Sequence, residues 1–382
     1  MNSHEMENVI SSHLHQYKNI TRFPIYSYDF IDTPNIDADF QKIGREVVKS
    51  IDLKSLKGFD ENSVTFITTI VSIYGGGTRM IEDWTGFYQS MGMKCSIIIT
   101  SKEGSDKSAI EKFVNKGVDC LFVESTGSAV SNIKSFQEIL ADLRPKTAFL
   151  CSFAMDYVAI AGIQDALVDK LYLNLVLDHG LSTGLHLPQI TKIITYRPYL
   201  AHLMKDYIKI DGDKIIYIPL SKKDTNSLDI NARKYLENGY ILSASSTSYQ
   251  YKISDSYIYR YIDVIVDILQ ITKGKHIHVG EISDDQVEFI RNSLDKLNID
   301  PNSFEVIKYT KSIAKFLYDN NVDVYLQTFP SGGGITCVEA MQAGVKIISH
   351  IHSHSYLYNA RDMVYPGCFF WKNPDELYGH LR

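Results

Sequence analysis

The sequence predicts an α/β protein made of two doubly wound domains facing a central cleft, and three observations lead there. Short apolar runs alternate with helix-patterned stretches along most of the chain, as parallel βαβ units require. Two such series occur, separated by the polar stretch Ser221-Lys-Lys-Asp-Thr-Asn-Ser-Leu-Asp229, which reads as a linker. The 382 residues also exceed the length of one typical domain.

Residues 1–60 are mixed and polar and are expected to form a helical or irregular extension. The first domain, residues 61–222, opens with a buried-strand run over Val64–Ile73, turned by Gly75-Gly76-Gly77 into a helix over Thr78–Met91. Strands are expected at Cys95–Thr100, Cys120–Val123, Thr147–Ser152, Leu171–Leu177, Lys192–Tyr196 and Lys214–Ile218. The second domain, residues 230–370, begins with a strand at Tyr240–Ser243. It continues through a helix near Ser256–Ile271, strand His276–Val279, helix Asp285–Leu297, strand Phe304–Ile307, helix Ser312–Asp319, strand Val322–Leu326 and strand Val345–Ser349. Residues 371–382 form a closing segment. Two domains of this kind bind ligands where strand carboxyl ends meet.

Bulk properties exclude several classes. A composition 45% hydrophobic and 22% charged is that of a globular protein, and a formal net charge of −6 leaves no nucleic-acid footprint. No apolar run approaches the roughly 20 residues of a membrane span, and the N-terminus lacks the features of a signal peptide. The five cysteines are scattered through apolar runs and read as reduced core residues of a cytoplasmic protein; a place at the inner membrane face stays open.

The strongest chemical signal is Tyr325-Leu-Gln-Thr-Phe-Pro-Ser-Gly-Gly-Gly-Ile-Thr-Cys-Val-Glu-Ala-Met. An apolar strand runs into Gly332, Gly333 and Gly334, and a helix opens there. Glycines let backbone approach a ligand, and a helix N-terminus presents unpaired N–H groups to an anion. Ser331 and Thr336 add hydroxyls, and Glu339 is spaced to accept bonds from a ribose. Lys252, after the first strand of the second domain and the hydroxyl-rich Ser243–Thr247, suits a diphosphate as a point charge. In the first domain Gly75–Gly77 and Arg79 follow a strand, without the spacing of a dinucleotide fingerprint. Asp178-His179-Gly180 follows another strand, with His179 placed as a base or a hydroxyl binder. His350, His352 and His354 alternate like a metal comb, but no acidic or cysteine partner is near in sequence. Asp37-Ala-Asp39, in the N-terminal extension, and Asp211-Gly-Asp213, which looks like a turn between strands, are Asp-x-Asp pairs of a kind that could hold Mg²⁺ on a nucleotide sugar, but both are read as structural.

Together these stretches resemble the GT-B superfamily of glycosyltransferases over residues 60–382. Ser331–Ser349 is similar to the signature of family 4 glycosyltransferases, with Glu339 at the ribose-binding glutamate and Ser331 where that family carries an earlier glutamate. Tyr251-Lys252-Ile253 is similar to the Tyr-Lys-Ile segment of O-GlcNAc transferases and bacterial adhesin N-glycosyltransferases. Asp178-His179, with Gly184 and Arg197, is similar to the Asp-His motif of the bacterial branch. The resemblance implies two Rossmann-like domains and a hexosyltransferase using a nucleoside-diphosphate sugar, a UDP-sugar foremost, with no metal or other cofactor required. It places Tyr251, Lys252, Ser331, Gly332, Gly333, Gly334, Thr336 and Glu339 on the donor. Gly75, Gly76, Gly77 and Arg79 fall on the acceptor side, and His179, Asp178 and Lys252 at the catalytic step. The acceptor would be a glycan, a lipid-linked glycan or a protein, as in bacterial surface glycosylation, with oligomeric state open. The alternatives are a catalytically silent subunit that stabilises a partner transferase and a sugar-nucleotide 2-epimerase.

Overall fold

A computed structural model describes residues 1–21, 33–73, 75–125, 127–153, 155–176, 183–221, 228–230, 234–237, 239–332, 334–353, 358 and 361–382. The chain divides into two compact units, the first ending at Ile218 and the second running from Pro219 to Arg382.

In the first unit two helices, α1 (Ser3–Thr21) and α2 (Thr33–Val48), precede β1 (Asp60–Thr68), α3 (Gly76–Ser90), β2 (Lys94–Ile99), α4 (Lys107–Val114) and β3 (Asp119–Phe122). Then follow α5 (Ala129–Leu143), β4 (Pro145–Leu150), α6 (Tyr157–Gly162), β5 (Lys170–Asn174), β6 (Ile190–Thr195), α7 (Pro198–Asp206) and β7 (Ile215–Tyr217). The seven strands form one parallel sheet in the order β3-β2-β1-β4-β5-β6-β7. Strand order reverses between β1 and β4. The last five residues of β1 are buried without alternation, as a strand covered on both faces must be. Phe66 of β1, Phe149 of β4 and Tyr172 of β5 stack in a row at 5.3 and 5.1 Å, and Trp84 of α3 meets Phe149 edge-on at 4.9 Å. Aromatic rows of this kind bury large apolar area across neighbouring strands.

Helices α1 and α2 are built into this unit. α1 packs on α5, and α2 packs on α5 and α6. Glu7 of α1 accepts bonds from Ser128 Oγ at 2.6 Å, Val130 N at 2.9 Å and Ala129 N at 3.3 Å, so its carboxylate sits on the N-terminus of α5. Burial would raise its pKa, but these bonds outweigh burial and hold the carboxyl below its usual range. Gln41 of α2 donates to Ile160 O at 2.7 Å and Ile163 O at 3.0 Å. A Cβ on Gly44 would lie 1.7 Å from Ala161 O, so α2 and α6 approach as closely as backbones can.

The second unit contains β8 (Leu242–Thr247), α8 (Tyr261–Thr272), β9 (Lys275–Gly280), α9 (Asp284–Lys296), β10 (Phe304–Ile307) and α10 (Ile313–Asp319). It continues with β11 (Val324–Leu326), α11 (Ile335–Gln342), β12 (Lys346–His350), β13 (Phe369–Trp371) and α12 (Pro374–Leu381). Its six strands are parallel in the order β10-β9-β8-β11-β12-β13, and the reversal lies between β8 and β11. Two expectations change. β1 stops at Thr68 rather than Ile73. An unexpected strand, β13, completes the sheet, and within residues 371–382 α12, capped by Asn373 with Pro374 in its first turn, ties to α8 through Tyr378 OH donating to Asp267 at 2.5 Å.

Candidate active site

Open α/β sheets bind ligands outside the carboxyl ends of the strands where strand order reverses. In the second unit that place receives the segments following β8 and β11, and the donor-side residues named from sequence lie on these two segments.

β8 is buried at every residue, and its hydroxyls face protein. Ser243 Oγ meets His276 Nδ1 at 2.8 Å, Ser246 Oγ meets Tyr325 OH at 2.8 Å, and Ser245 Oγ bonds Tyr261 OH, His276 Nε2 and His278 Nδ1. The sequence predicts a strand ending at Ser243 with the other hydroxyl residues beyond it, whereas β8 runs on to Thr247. Their bonding partners lie on β9, α8 and β11, far away in sequence, so only the fold reveals them as strand interior.

Beyond β8 the chain makes a short 3-10 turn, Gln250–Ile253, whose start is fixed by Thr247 Oγ1 donating to Tyr249 O at 2.8 Å. Gln286, in the capping box of α9, grips this turn: it accepts from Gln250 Nε2 at 2.8 Å and donates to Asp255 at 3.0 Å. Tyr249 and Tyr251 stack with ring centroids 5.8 Å apart. Lys252 is half-buried on this turn, and no hydrogen bond or ion pair among the described residues uses its ammonium. A half-buried cation without a protein counterion favours an anionic ligand.

Beyond β11, Gln327 N donates to Ile348 O at 2.9 Å and Thr328 Oγ1 donates to Ser331 O at 3.1 Å, which fixes the loop leading to α11. Gly334 caps α11 with φ 84° and ψ −175°, a backbone region essentially reserved for glycine, and supplies no capping side chain. Cys337 N donates back to Gly334 O at 3.1 Å, and the N–H groups of Ile335 and Thr336, which Gly334 has no side chain to cap, lie at the end where the helix dipole favours negative charge. Thr336 Oγ1 accepts from Tyr325 OH at 3.2 Å, and that hydroxyl also meets Ser246, so a relay from β8 through β11 orients the first turn of α11. Glu339 lies three residues on, on the same helix face, and is only 5% exposed. Ser331 is fully buried with an unpaired hydroxyl. Gly333 lies outside the described residues.

In the first unit the reversal lies beside α3. Gly75 caps α3 without a side chain, Gly76 and Gly77 form its first turn, and Arg79, half-buried, donates N–H to Gly75 O at 3.1 Å. Sequence reasoning missed Asp156. It caps α6, accepting from Ala159 N at 3.1 Å, and also accepts from Thr69 at 2.9 Å and Thr100 at 2.5 Å, which clamps the segments after β1, β2 and β4. An acid directly before an apolar helical run is a cap signal that would have found it. Asp178 and His179 lie outside the described residues.

The alternating histidines do not form a comb. His350 commits Nε2 to Tyr257 OH at 2.7 Å and Nδ1 to Trp371 O at 3.1 Å, and His352 stacks on Tyr257 at 4.9 Å; His354 lies outside the described residues. Burial pushes His350 down to about 3, which keeps it neutral. Asp37 accepts from Gly184 N at 2.6 Å and His186 N at 2.9 Å and anchors backbone, while Asp211 caps a 3-10 turn. Among the described residues no group of three or more His, Cys, Asp or Glu is arranged to hold a metal ion. The five cysteines are free thiols, four buried and Cys120 half-buried.

Two parallel-sheet domains, each reversing strand order once, define the class of fold: it is that of the GT-B glycosyltransferases. The chain is similar to a glycosyltransferase from Rickettsia africae, with TM-score 0.60 and 12% identity over 84% of this chain and 88% of that one. It is similar to HepE from Anabaena, solved in complex with UDP and glucose, with TM-score 0.59 and 13% identity over 84% and 89%. An O-GlcNAc transferase from Thermobaculum terrenum matches with TM-score 0.53 and 9% identity over 98% of this chain and 73% of that one. No protein-family profile and no curated protein matches the sequence. Among the described residues no helix is long and apolar enough to cross a membrane.

Proposed function

We propose that the chain is a glycosyltransferase that moves a hexose from a UDP-sugar to a glycan or protein acceptor. The observation that carries this reading is the pairing, at the reversal point of the second sheet, of an unpaired Lys252 with the uncapped N-terminus of α11. Both follow the carboxyl ends of adjacent strands, in a fold shared with HepE, which was solved with UDP and glucose.

In this reading Lys252, the glycine segment and the N–H groups of α11 receive the diphosphate, whose charge grows as the glycosidic bond breaks. Thr336 adds a hydroxyl already oriented by Tyr325, and Glu339 takes the ribose. Gly75–Gly77 and Arg79 serve the acceptor, and His179 or Asp178 removes the acceptor proton. A lysine and a helix dipole together supply the positive field, so the donor site needs no metal.

The test is calorimetric titration of the protein with UDP, GDP, ADP, CDP and TDP, with and without Mg²⁺, repeated for Lys252→Ala. UDP is expected to bind without Mg²⁺. The variant should bind it about 10- to 100-fold more weakly, the value of one charge-assisted bond of about 1.5–3 kcal/mol. Binding of no nucleotide, or equal affinity in the variant, overturns the assignment.

A further inference from the structure

Residues 248–260 link β8 to α8 and contain one regular element, the 3-10 turn Gln250–Ile253 that carries Lys252. A turn this short does not hold itself in place. Lys252 adds a flexible stem of its own, so the position of its ammonium depends on what fixes the turn from outside.

One side chain on α9 does most of this. Gln286 is 4% exposed, and its carboxamide uses both of its ends. Oε1 accepts from Ser283 N at 3.4 Å and from Gln250 Nε2 at 2.8 Å. Nε2 donates to Asp255 Oδ2 at 3.0 Å and to Ile253 O at 3.4 Å. All four hydrogen-bonding positions of the amide are thereby filled. Gln250 lies two residues before Lys252, Ile253 one after and Asp255 three after, so a single group brackets the lysine on both sides. One turn along α9, the Phe289 ring carries the Arg260 guanidinium at 5.0 Å and meets the far end of the same segment.

Helix capping alone does not ask for this. The capping box of α9 needs only an acceptor oxygen at Gln286, which glutamate supplies equally well. Glutamate at neutral pH has no N–H to give Ile253 O and Asp255; glutamine has two. We propose that Gln286 is a positioning residue for the donor site, holding from the first turn of α9 the turn that presents Lys252 to the diphosphate. The inference rests on the donor-site reading above and adds to it a residue that touches no ligand. Released from Gln286, the turn spends part of its time away from the binding position, and apparent affinity falls by the fraction that remains competent, about 10-fold if one molecule in ten is correctly placed.

The experiment titrates UDP into wild type, Gln286→Met, Ser283→Ala, Lys252→Ala and the double variant of Gln286→Met with Lys252→Ala. Gln286→Met should weaken UDP binding about 10-fold. Ser283→Ala removes the other half of the capping box and leaves the grip on the turn, so its affinity should stay within about threefold of wild type. In the Lys252→Ala background Gln286→Met should change affinity less than about twofold, because the turn then presents no cation; residues acting through one another are not additive in such a cycle. Equal losses from Gln286→Met in both backgrounds, a loss from Ser283→Ala as large as that from Gln286→Met, or unchanged affinity in Gln286→Met overturns the assignment. Gln250→Met, at an exposed position, breaks the bond on the other side of the lysine and leaves the capping box whole. It carries the test should Gln286→Met fail to fold, with a loss of at least about threefold expected and none overturning the proposal. A wild type that binds no nucleotide sinks the donor site itself. UDP binding that falls with Lys252→Ala but with neither glutamine variant sinks the positioning role alone.

Discussion

Acid should unfold the second unit well before ordinary carboxylate titration would. Three of its histidines are buried and neutral: burial lowers His276 to about 3, His278 to about 4 and His350 to about 3, from an ordinary value of 6.5. His276 and His278 share bonds with Ser245 and Tyr261, and His350 is wedged against Trp371 with ring centroids 4.1 Å apart. Above pH 6.5 both states hold these rings neutral, and the histidines add no pH dependence. Below it the unfolded chain takes up protons that the folded unit refuses, so stability falls with pH until the folded rings titrate near 3 to 4. The slope is about 1.4 kcal/mol per pH unit for each histidine, and between pH 7 and pH 5 the loss is about 2 kcal/mol each, roughly 6 in all. That is comparable to the whole stability of a domain. Asp37 in the first unit works the other way, since burial pushes it up to about 7 and its folded form binds a proton first as pH falls. The two units must therefore be read separately. The sequence has two tryptophans, Trp84 in the first unit and Trp371 in the second, so a Trp84→Phe variant leaves Trp371 fluorescence to report the second unit alone. Urea unfolding of that variant at pH 7, 6 and 5 should show a steep loss, reduced by about a third when His276→Gln is added. A change under about 1 kcal/mol between pH 7 and pH 5 would refute the reasoning.

Gly334→Ala should weaken UDP binding at least about 10-fold and cost about 1–3 kcal/mol of stability, because φ 84° with ψ −175° excludes a side chain; titration and urea midpoints check both, and unchanged affinity would remove α11 from the donor site. Gly44→Ala should destabilise the first unit by about 1–3 kcal/mol or more, since the new Cβ would sit 1.7 Å from Ala161 O, while leaving nucleotide affinity unaltered. Glu7→Ala should cost about 1 kcal/mol by removing the carboxylate that accepts from the first N–H groups of α5 and from its cap Ser128, seen in a Trp371→Phe background as a lower midpoint of first-unit unfolding followed through Trp84.

Much of the fold could be read from one dimension. Parallel strands buried on both faces appear as short apolar runs, which is why β2 and β12 fall within a residue of their expected places; β9 and β10 also lie where expected, although β9 carries His276 and His278 and β10 is only partly buried. The glycine segment was legible for a similar reason: Gly334 occupies a backbone region that other residues avoid, so its identity records its conformation. β8 was harder, because Ser245 and Ser246 fall beyond the expected strand end until their partners on other strands and helices are known. β13 was missed because three residues between turns carry too little pattern to register.

By itself, then, the sequence determined the α/β class, the two successive units, and the strand-turn-helix around Gly332–Gly334 with Lys252 as a candidate partner. These depend on local periodicity and on glycine's conformational freedom, both of which are written residue by residue. Tertiary structure alone decided which strands sit at the reversal points, that Asp156 clamps three segments, that His276, His278 and His350 are sealed into a neutral interior, and that Gln286 grips the turn of Lys252. Each of these is a contact between segments distant in the chain, and no local pattern encodes the partner a side chain will meet once the sheet closes around it.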